Sequence, residues 1–273
     1  MTFDLGPALL FCPADRPDRF DKAAERADAV ILDLEDAVAP GDKAAAREAL
    51  VAHPLDAATT IVRVNAVDSG YFDDDLAALA RTGYRRVMLA KTETVVQVDR
   101  LDGFEVIALC ETAAGIVNVA SIAAAPSVVA LMWGAEDLLA SLGGTSSRDD
   151  DGRYRAVAVH ARSSVLLAAG AAGKAAIDSV YVDIPDLPGL EREAQDARAS
   201  GFSATACIHP SQVSAIRTAY LPSPEEVASA TAMLLAAEGE RGVFRFDGRM
   251  VDEPVLRHAR AVLARGTGQP QQP

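Results

Sequence analysis

Short apolar runs alternate with alanine-rich helical stretches along most of this chain. Eight runs stand between residues 8 and 209, namely "ALLFC", "AVILDL", "TIVRVN", "RVMLAK", "EVIALCE", "SVVALMW", "IDSVYVD" and "ATACIH". They are mostly apolar without strict polar alternation, which is typical of strands buried on both faces of a parallel sheet. About eight strand–helix units in about 220 residues predict an α/β fold, a (β/α)8 TIM barrel. A doubly wound open sheet is the alternative, but no G-x-G-x-x-G turn follows the first run.

The sequence after the eighth unit predicts an addition to the barrel. We expect the barrel to span 1–221. Pro222 and Pro224 open two further helical stretches, joined by "GERGVFRFDGRMVDEP", which predict a C-terminal helical extension or lid over 222–265. The final "GTGQPQQP" predicts a disordered tail over 266–273, because such a polar segment buries too little apolar surface to fold.

The net charge limits the classes of partner. The 273 residues include 26 Lys and Arg against 39 Asp and Glu, a formal net charge of −13. Nucleic acids and anionic membranes attract basic patches, so we expect neither as a partner. No apolar run reaches the roughly 20 residues that span a bilayer, and the start has no basic leader segment. Cys12, Cys110 and Cys207 lie in apolar runs, which predicts buried, reduced thiols in a cytoplasmic protein.

Ionisable and polar side chains recur where the predicted strands end. In a barrel, the C-terminal ends of the strands and the loops after them build the active site. Burying charged groups there without a function would be costly. The residues at these positions are Asp15, Arg16, Asp33, Glu35, Asp36, Arg63, Asn65, Lys91, Glu93, Glu111, Glu136, Asp137, Asp183 and His209. An acid just before a helix can also be no more than an N-cap, and this interpretation stays open for Asp36 and Asp183.

Two of these acids predict a metal site. Glu111 and Asp137 follow adjacent predicted strands and should face one barrel mouth. Two carboxylates, with the other positions left to water and substrate, are a usual way to hold Mg²⁺. The four histidines and three cysteines have no spacing that suits zinc.

The motifs that contain these residues resemble those of a known family. The resemblance rests on "LLFCPADRPDRFDKA", "VILDLEDAVAPGDKAAAR", "IVRVN", "MLAKTE", "ALCETAAGI", "WGAEDL", "IHPSQV" and "FDGRMVDEPV", in this order and spacing. They are similar to the citrate lyase β-subunit-like proteins of the HpcH/HpaI aldolase superfamily, which include citramalyl-CoA and malyl-CoA lyases. The resemblance covers nearly the whole chain. It implies a Mg²⁺-dependent (β/α)8 barrel, commonly a homotrimer, that makes or breaks a C–C bond beside an acyl thioester.

The resemblance also implies roles for residues of the first six strand–helix units. Glu111 and Asp137 resemble the metal ligands, and Arg63 resembles the residue that holds the carboxylate of the keto-acid fragment. Glu35 and Asp36 would orient Arg63 or metal-bound water. The coenzyme A pattern of the family falls on Phe11, Arg16 and Lys22, with Lys91 as a fourth contact.

Two further positions complete the expected site. Backbone N–H groups at Gly134 and Ala135 would stabilise an oxyanion if their turn opens a helix, and Glu136 would play a structural part beside Asp137. Asp252 resembles the acid/base that the family supplies from a neighbouring subunit. The alternative for Asp252 is that it only caps the helix beginning near Pro254.

The expected function is a Mg²⁺-dependent β-hydroxyacyl-CoA lyase. It would cleave or form a citramalyl-CoA or malyl-CoA type thioester, giving acetyl-CoA and a keto acid, with acyl-CoA thioesterase activity as an extension. One alternative is a citrate lyase β subunit acting on an acyl-carrier protein. Another is a Schiff-base aldolase using Lys91, which has no evident desolvated pocket to lower its pKa. The last is a non-catalytic acyl-CoA-binding barrel, because fold alone does not imply activity.

Overall fold

Eight parallel strands close into a barrel in a computed structural model of the chain, which describes residues 3–240 and 242–266. Leu9 of the first strand pairs with Ala206 of the last, which closes the sheet. The strands are β1 (Ala8–Pro13), β2 (Ala29–Asp33), β3 (Thr60–Val64), β4 (Arg86–Leu89), β5 (Glu105–Cys110), β6 (Val128–Trp133), β7 (Ala175–Asp178) and β8 (Ala204–Cys207). The predicted barrel is confirmed, and the open-sheet alternative is wrong because β1 and β8 pair.

Helices follow the strands around the barrel. They are α1 (Phe20–Arg26), α2 (Lys43–Ala52), α3 (Phe72–Leu79), α4 (Val95–Asp99), α5 (Ala113–Val117), α6 (Val119–Ala124), α7 (Ala135–Ser141), α8 (Ala156–Ala171), α9 (Leu187–Ser200) and α10 (Pro210–Tyr220). Short 3-10 turns at Pro17–Arg19 and Pro40–Asp42 precede α1 and α2. None of the helices that the structure describes is long and apolar enough to cross a membrane.

Aliphatic side chains fill the barrel interior. Alternate strand residues point inward, so each strand contributes one or two of them to a shared layer. This interior includes Leu9, Ile31, Ile61, Met88, Ile107, Met132, Ile177 and Ala206. The residues between them pack outward and are also buried, so the apolar runs of the sequence lack polar alternation. All three cysteines are free and buried, as predicted.

The seventh strand lies earlier in the chain than the sequence predicted. It ends at Asp178, whereas Asp183, the expected strand end, lies exposed in the loop beyond it. The buried Asp178 carboxylate accepts hydrogen bonds from Trp133 Nε1 at 2.6 Å and from Arg162 Nη2 at 2.8 Å. These partners fix Asp178 where the strand stops, and the apolar residues after it belong to the loop.

Residue contacts divide the chain into two units, Phe3–Arg217 and the part from Thr218 onwards. In the second unit, α11 (Pro224–Ala237) and α12 (Glu253–Gly266) pack through Ala230, Ala259 and Val262. The helical extension contains an antiparallel hairpin of β9 (Phe244–Phe246) and β10 (Arg249–Val251) that the sequence analysis missed. Residues 267–273 of the predicted tail lie outside the described residues.

The hairpin has a local signal in the sequence. Its two-residue turn is Asp247–Gly248, and both residues have positive φ, 44° and 77°. Asp-Gly is a favoured pair for such a turn, because its backbone twist matches that of the flanking strands. The strands have only three residues each, too few to stand out as apolar runs.

Candidate active site

Asp33 ends β2 and organises the loop that follows. Its carboxylate is fully buried and accepts the backbone N–H of Glu35 at 2.8 Å and of Ala37 at 3.1 Å. It also accepts Arg63 Nε at 2.7 Å and Nη2 at 2.6 Å. Both carboxylate oxygens are therefore used twice, and the loop is fixed relative to β3.

Arg63 comes from β3, next to β2 in the barrel, and its side chain is only 10% exposed. Its Nη1 lies 3.3 Å from Glu35 Oε2, and its guanidinium carbon lies 4.7 Å from the centre of the Phe11 ring. Burial disfavours the charge on Arg63, but the carboxylates of Asp33, Glu35 and Glu111 outweigh burial and raise its pKa. Arg63 is therefore a permanent cation at the mouth, as an anion-holding residue must be.

The contacts of Arg63 limit how it could hold a substrate carboxylate. The Nε–Nη2 edge of the guanidinium, which would give a substrate carboxylate two parallel hydrogen bonds, already faces Asp33. An incoming carboxylate would have to use the opposite side, at Nη1. Sequence spacing cannot reveal this, since it depends on which edge the neighbouring strand presents.

Lys91 turns into the acidic cluster of the mouth. Its Nζ forms a short hydrogen bond with Glu35 and lies 3.1 Å from Asp36 Oδ2. The same nitrogen lies 3.6 Å from Asp137 Oδ1 and 3.9 Å from Glu111 Oε1. Burial alone would lower the pKa of Lys91. The carboxylates of Glu35, Glu111 and Asp36 raise it by more, so the pKa lies above its usual value.

This position places Lys91 among carboxylates, and its contact with coenzyme A stays a prediction. Four carboxylates around one mouth attract the nearest ammonium, and a salt bridge inside this partly buried site is stronger than one in water. The backbone supports the inward turn, because Lys91 has φ of 50°, a left-handed conformation that is uncommon for a residue with a side chain. Its raised pKa also argues against the Schiff-base alternative, which needs a neutral amine.

Glu111 and Asp137 lie close together, as the metal prediction requires. Glu111 follows β5 and is 2% exposed, while Asp137 lies in the first turn of α7. Burial and the neighbouring Asp137 raise the pKa of Glu111 to about 8. A Cβ at Gly134 would lie 2.7 Å from Glu111 Oε2, so only glycine lets the chain pass so near this carboxylate.

The two carboxylates fit a divalent cation of the Mg²⁺ type. Their mutual repulsion is relieved by a shared positive charge, and carboxylate oxygens are hard ligands. Across residues 3–240 and 242–266, no three His, Cys, Asp or Glu side chains are grouped as a complete metal site. Water and substrate filling the remaining positions stays a prediction.

The turn before α7 differs in part from its predicted role. The Ala135 N–H, expected to stabilise an oxyanion, donates to Ser179 Oγ at 3.3 Å. Glu136 is exposed and accepts Ser147 Oγ at 2.5 Å, which ties the long loop after α7 to this helix. Glu136 thus has a structural contact, as expected, whereas the Ala135 N–H already has a partner inside the chain.

Three of the four residues predicted to contact coenzyme A lie in the first strand–helix unit. Phe11 is half-buried under Arg63. Arg16 is exposed before α1 and lies 3.3 Å from Asp18 Oδ1, and Lys22 is exposed on α1. Both cations reach solvent, where phosphate groups could approach them. Their role as coenzyme A contacts stays a prediction.

Asp252 lies in the second unit and caps α12. Its Oδ1 accepts the Val255 N–H at 3.3 Å, and its backbone oxygen accepts the Leu256 N–H at 3.0 Å. Asp252 therefore makes the predicted cap of this helix. Since a cap occupies only one oxygen and the side chain is half-buried, the acid/base role stays a prediction.

Replacing Glu111 with glutamine should change how stability depends on pH when divalent ions are removed with EDTA. A carboxyl whose pKa rises from 4.5 to about 8 on folding binds more protons in the folded chain than in the unfolded chain across that window. Wild-type stability should therefore lose this contribution as the pH rises from 4.5 to 8, and Glu111→Gln should not. Urea unfolding at several pH values measures the difference.

The control is Glu48→Gln, which removes an exposed carboxylate whose pKa is lowered by the hydrogen bond from Arg81. This variant should not gain stability relative to wild type as the pH rises. Parallel pH profiles for wild type and Glu111→Gln would contradict the raised pKa of Glu111.

Comparisons with known proteins identify the family of this chain. The family described as HpcH/HpaI aldolase/citrate lyase matches residues 8–210. A citrate lyase subunit beta-like protein of Mycobacterium tuberculosis is 56% identical over 260 residues, 95% of each chain. A mitochondrial citramalyl-CoA lyase of Rattus norvegicus is 31% identical over 294 residues, 95% of this chain and 86% of that protein.

A solved structure is similar over nearly the whole chain. It is that of protein CitE from Mycobacterium tuberculosis in complex with magnesium, acetoacetate and coenzyme A. The TM-score is 0.94 at 56% identity, covering 96% of this chain and 98% of that one. By its motifs, its barrel and these matches, this chain belongs to the HpcH/HpaI aldolase/citrate lyase family.

Proposed function

We propose that this chain is a Mg²⁺-dependent carbon–carbon lyase for β-hydroxyacyl-CoA thioesters of the citramalyl-CoA or malyl-CoA type. It would release acetyl-CoA and a keto acid, or join them in reverse. The observation that carries the proposal is the pairing of Glu111 and Asp137 at the barrel mouth, beside the permanent cation Arg63. Such a mouth holds a metal and a carboxylate together.

Glu111 and Asp137 would hold the ion, and bound Mg²⁺ would act as a Lewis acid toward the substrate oxygens. Arg63 would hold the keto-acid carboxylate through Nη1, while Asp33 and Glu35 keep the guanidinium in place. This orientation aligns the bond to be broken with the thioester carbonyl, so that electrons of the breaking bond pass into a thioester enolate.

A proton must move at two atoms. Cleavage releases the proton of the β-hydroxyl group to water as its carbon becomes the keto-acid carbonyl. The enolate carbon takes one proton from a carboxylic acid to give acetyl-CoA, and that acid regains a proton from water, so no net proton is consumed. Asp252 of a neighbouring subunit would exchange the proton at that carbon. A carboxylate suits this task if closure of the site removes water and raises its pKa.

The thioester carrier is coenzyme A in this proposal. Arg16 and Lys22 are exposed cations on a chain of net charge −13, so they would offset its repulsion of phosphates. The Mycobacterium tuberculosis structure with coenzyme A supports this choice. The citrate lyase beta-like name of a relative keeps an acyl-carrier protein as the second candidate carrier. A non-catalytic acyl-CoA-binding barrel remains the alternative of another class.

The first test is an assay of the purified protein against a small panel of acyl-CoA thioesters, with and without EDTA. We expect citramalyl-CoA or malyl-CoA to give a keto acid only when Mg²⁺ is present, and release of free thiol measures any thioesterase activity. Asp137→Ala should abolish both turnover and Mg²⁺ binding by calorimetry, because it removes one of two protein ligands.

The matched control is Asp150→Asn, which removes an exposed loop carboxylate and should leave turnover unchanged. Turnover that persists in EDTA would contradict the metal mechanism. Tight binding of acyl-CoA without turnover of any member of the panel would favour the non-catalytic barrel. Co-purification with an acyl-carrier subunit would favour the second carrier.

A second test addresses Asp252 and the proposed homotrimer. Asp252→Ala and Glu111→Ala should each be inactive alone, since one lacks the acid/base and the other a metal ligand. When the two variants are co-assembled, some sites combine an intact metal half with an intact Asp252, so part of the activity should return. Native mass spectrometry would verify that mixed oligomers form. Mixed oligomers without any recovery would contradict the cross-subunit role.

A further inference from the structure

We propose that Lys43 is a positioning residue for the active site, acting through the loop after β2. The inference rests on the proposed function, because it concerns how Arg63 is presented to a keto-acid carboxylate. Lys43 is the first residue of α2, and nothing in its local sequence distinguishes it from a surface lysine. Its surroundings in the folded chain are those of a core residue.

Lys43 is buried with all three hydrogens of its ammonium group engaged. Its Nζ donates to the carbonyl oxygens of Leu34 and Glu35, each at 2.8 Å, and to Asn65 Oδ1 at 2.7 Å. Only 6% of the residue is exposed. Burying a lysine is costly, and such residues are rarely found inside unless each donor has a partner. The three hydrogen bonds from Nζ offset this cost.

The loop is held from two sides by opposite charges. Its N–H groups at Glu35 and Ala37 donate to the Asp33 carboxylate, whereas its carbonyl groups at Leu34 and Glu35 accept from Lys43. The same Asp33 carboxylate holds the guanidinium of Arg63. The Leu34 carbonyl also accepts from Asn65 Nδ2 at 2.8 Å, and the Glu35 carbonyl from the Val38 N–H at 3.0 Å. Loss of the ammonium would therefore remove one of two donors from each carbonyl, and the peptide planes of the loop would turn toward new partners.

The consequence for the site follows from these shared contacts. Turning the loop moves the two N–H groups that orient Asp33, and it moves Glu35, whose Oε2 faces Arg63 Nη1. Arg63 would then keep its charge but lose its fixed direction. A displacement of about 1 Å in a positioning group can cost about a hundredfold in rate.

A purely supporting role for Lys43 makes different predictions. Support alone would lower the free energy of unfolding and leave the kinetics of the folded protein unchanged. Positioning through Arg63 would instead couple the two side chains energetically. A double-mutant cycle measures that coupling.

Arg47 offers a matched control on the same helix. It is also a buried cation of α2, and its Nε donates to Asp75 at 2.7 Å. It contacts neither carbonyl of the loop directly and is linked to Leu34 through Asp75 and Asn65. Arg47→Met should destabilise the chain but lower the kcat/KM of the folded fraction much less than Lys43→Met does. Lys43→Met should lower kcat/KM by about tenfold or more, with a higher KM for the acyl-CoA, because Arg63 is no longer held in place.

The cycle uses Arg63→Lys, which should itself be severe because a point charge cannot replace the planar fork of arginine. In that background, Lys43→Met should add much less than its effect in the wild type. If the double variant loses kcat/KM by the product of the two single losses, the proposal is overturned. A loss of kcat/KM in Arg47→Met as large as that in Lys43→Met would also overturn it.

Hydrogen–deuterium exchange gives a readout that does not depend on turnover. Segment 34–38 should exchange about tenfold faster in Lys43→Met than in wild type, with the rest of the barrel unchanged, because the loop opens locally. If the wild-type protein has no lyase activity but Lys43→Met still exchanges segment 34–38 faster, the proposed function is refuted. The anchoring of the loop by Lys43 would then still hold. Unchanged exchange in segment 34–38 would refute the anchoring itself.

If Lys43→Met does not fold, Lys43→Arg serves as the test. It keeps the charge but places its donors differently, so the chain should remain folded with faster exchange of segment 34–38 and a raised KM. Wild-type exchange and KM in Lys43→Arg, with loss of folding in Lys43→Met, would assign Lys43 to support alone and overturn the proposal.

Discussion

The buried ion pair between Asp33 and Arg63 is the interaction on which the mouth of this barrel depends. It joins the ends of two neighbouring strands, and both side chains are almost wholly removed from solvent. Such a pair contributes little net stability, yet removing one partner leaves an uncompensated buried charge. The pair instead fixes the direction in which the Arg63 guanidinium points. Asp33 accepts from the Nε–Nη2 edge of the guanidinium, and Nη1 faces Glu35. Lys43 in turn donates to the loop whose N–H groups orient Asp33.

Charge balance explains the rest of the mouth. Strands in a parallel barrel bring their carboxyl ends together, so acids from several of them meet in one confined place. Lys91 lies within 4.0 Å of four of these carboxylates, and Glu111 has a raised pKa because burial and Asp137 both disfavour its charge. More positive charge beside Glu111 and Asp137 is therefore favourable. A divalent cation would supply that charge, and it is the group that the proposed lyase reaction would use.

Sequence alone predicted the barrel and the pairing of Glu111 with Asp137, because strand burial and the meeting of strand ends follow from local patterns. It did not predict the inward turn of Lys91, which depends on charges from β2, β5 and α7 together. It also missed Lys43, since a lysine that opens a helix looks like a surface residue until its acceptors are seen. The sequence predicted that the seventh strand ends at Asp183, whereas it ends at Asp178. This end also depends on a partner distant in sequence, because Trp133 donates a hydrogen bond to Asp178.

The most direct test of this account is the position of the metal. Crystals of the protein soaked in Mn²⁺, which prefers the same oxygen ligands as Mg²⁺, would give an anomalous peak at the bound ion. We predict one peak at the barrel mouth, about 2.1 Å from a carboxylate oxygen of Glu111 and from one of Asp137. The peak should be lost in Asp137→Ala. A peak bound by other residues, or none at saturating Mn²⁺, would contradict it.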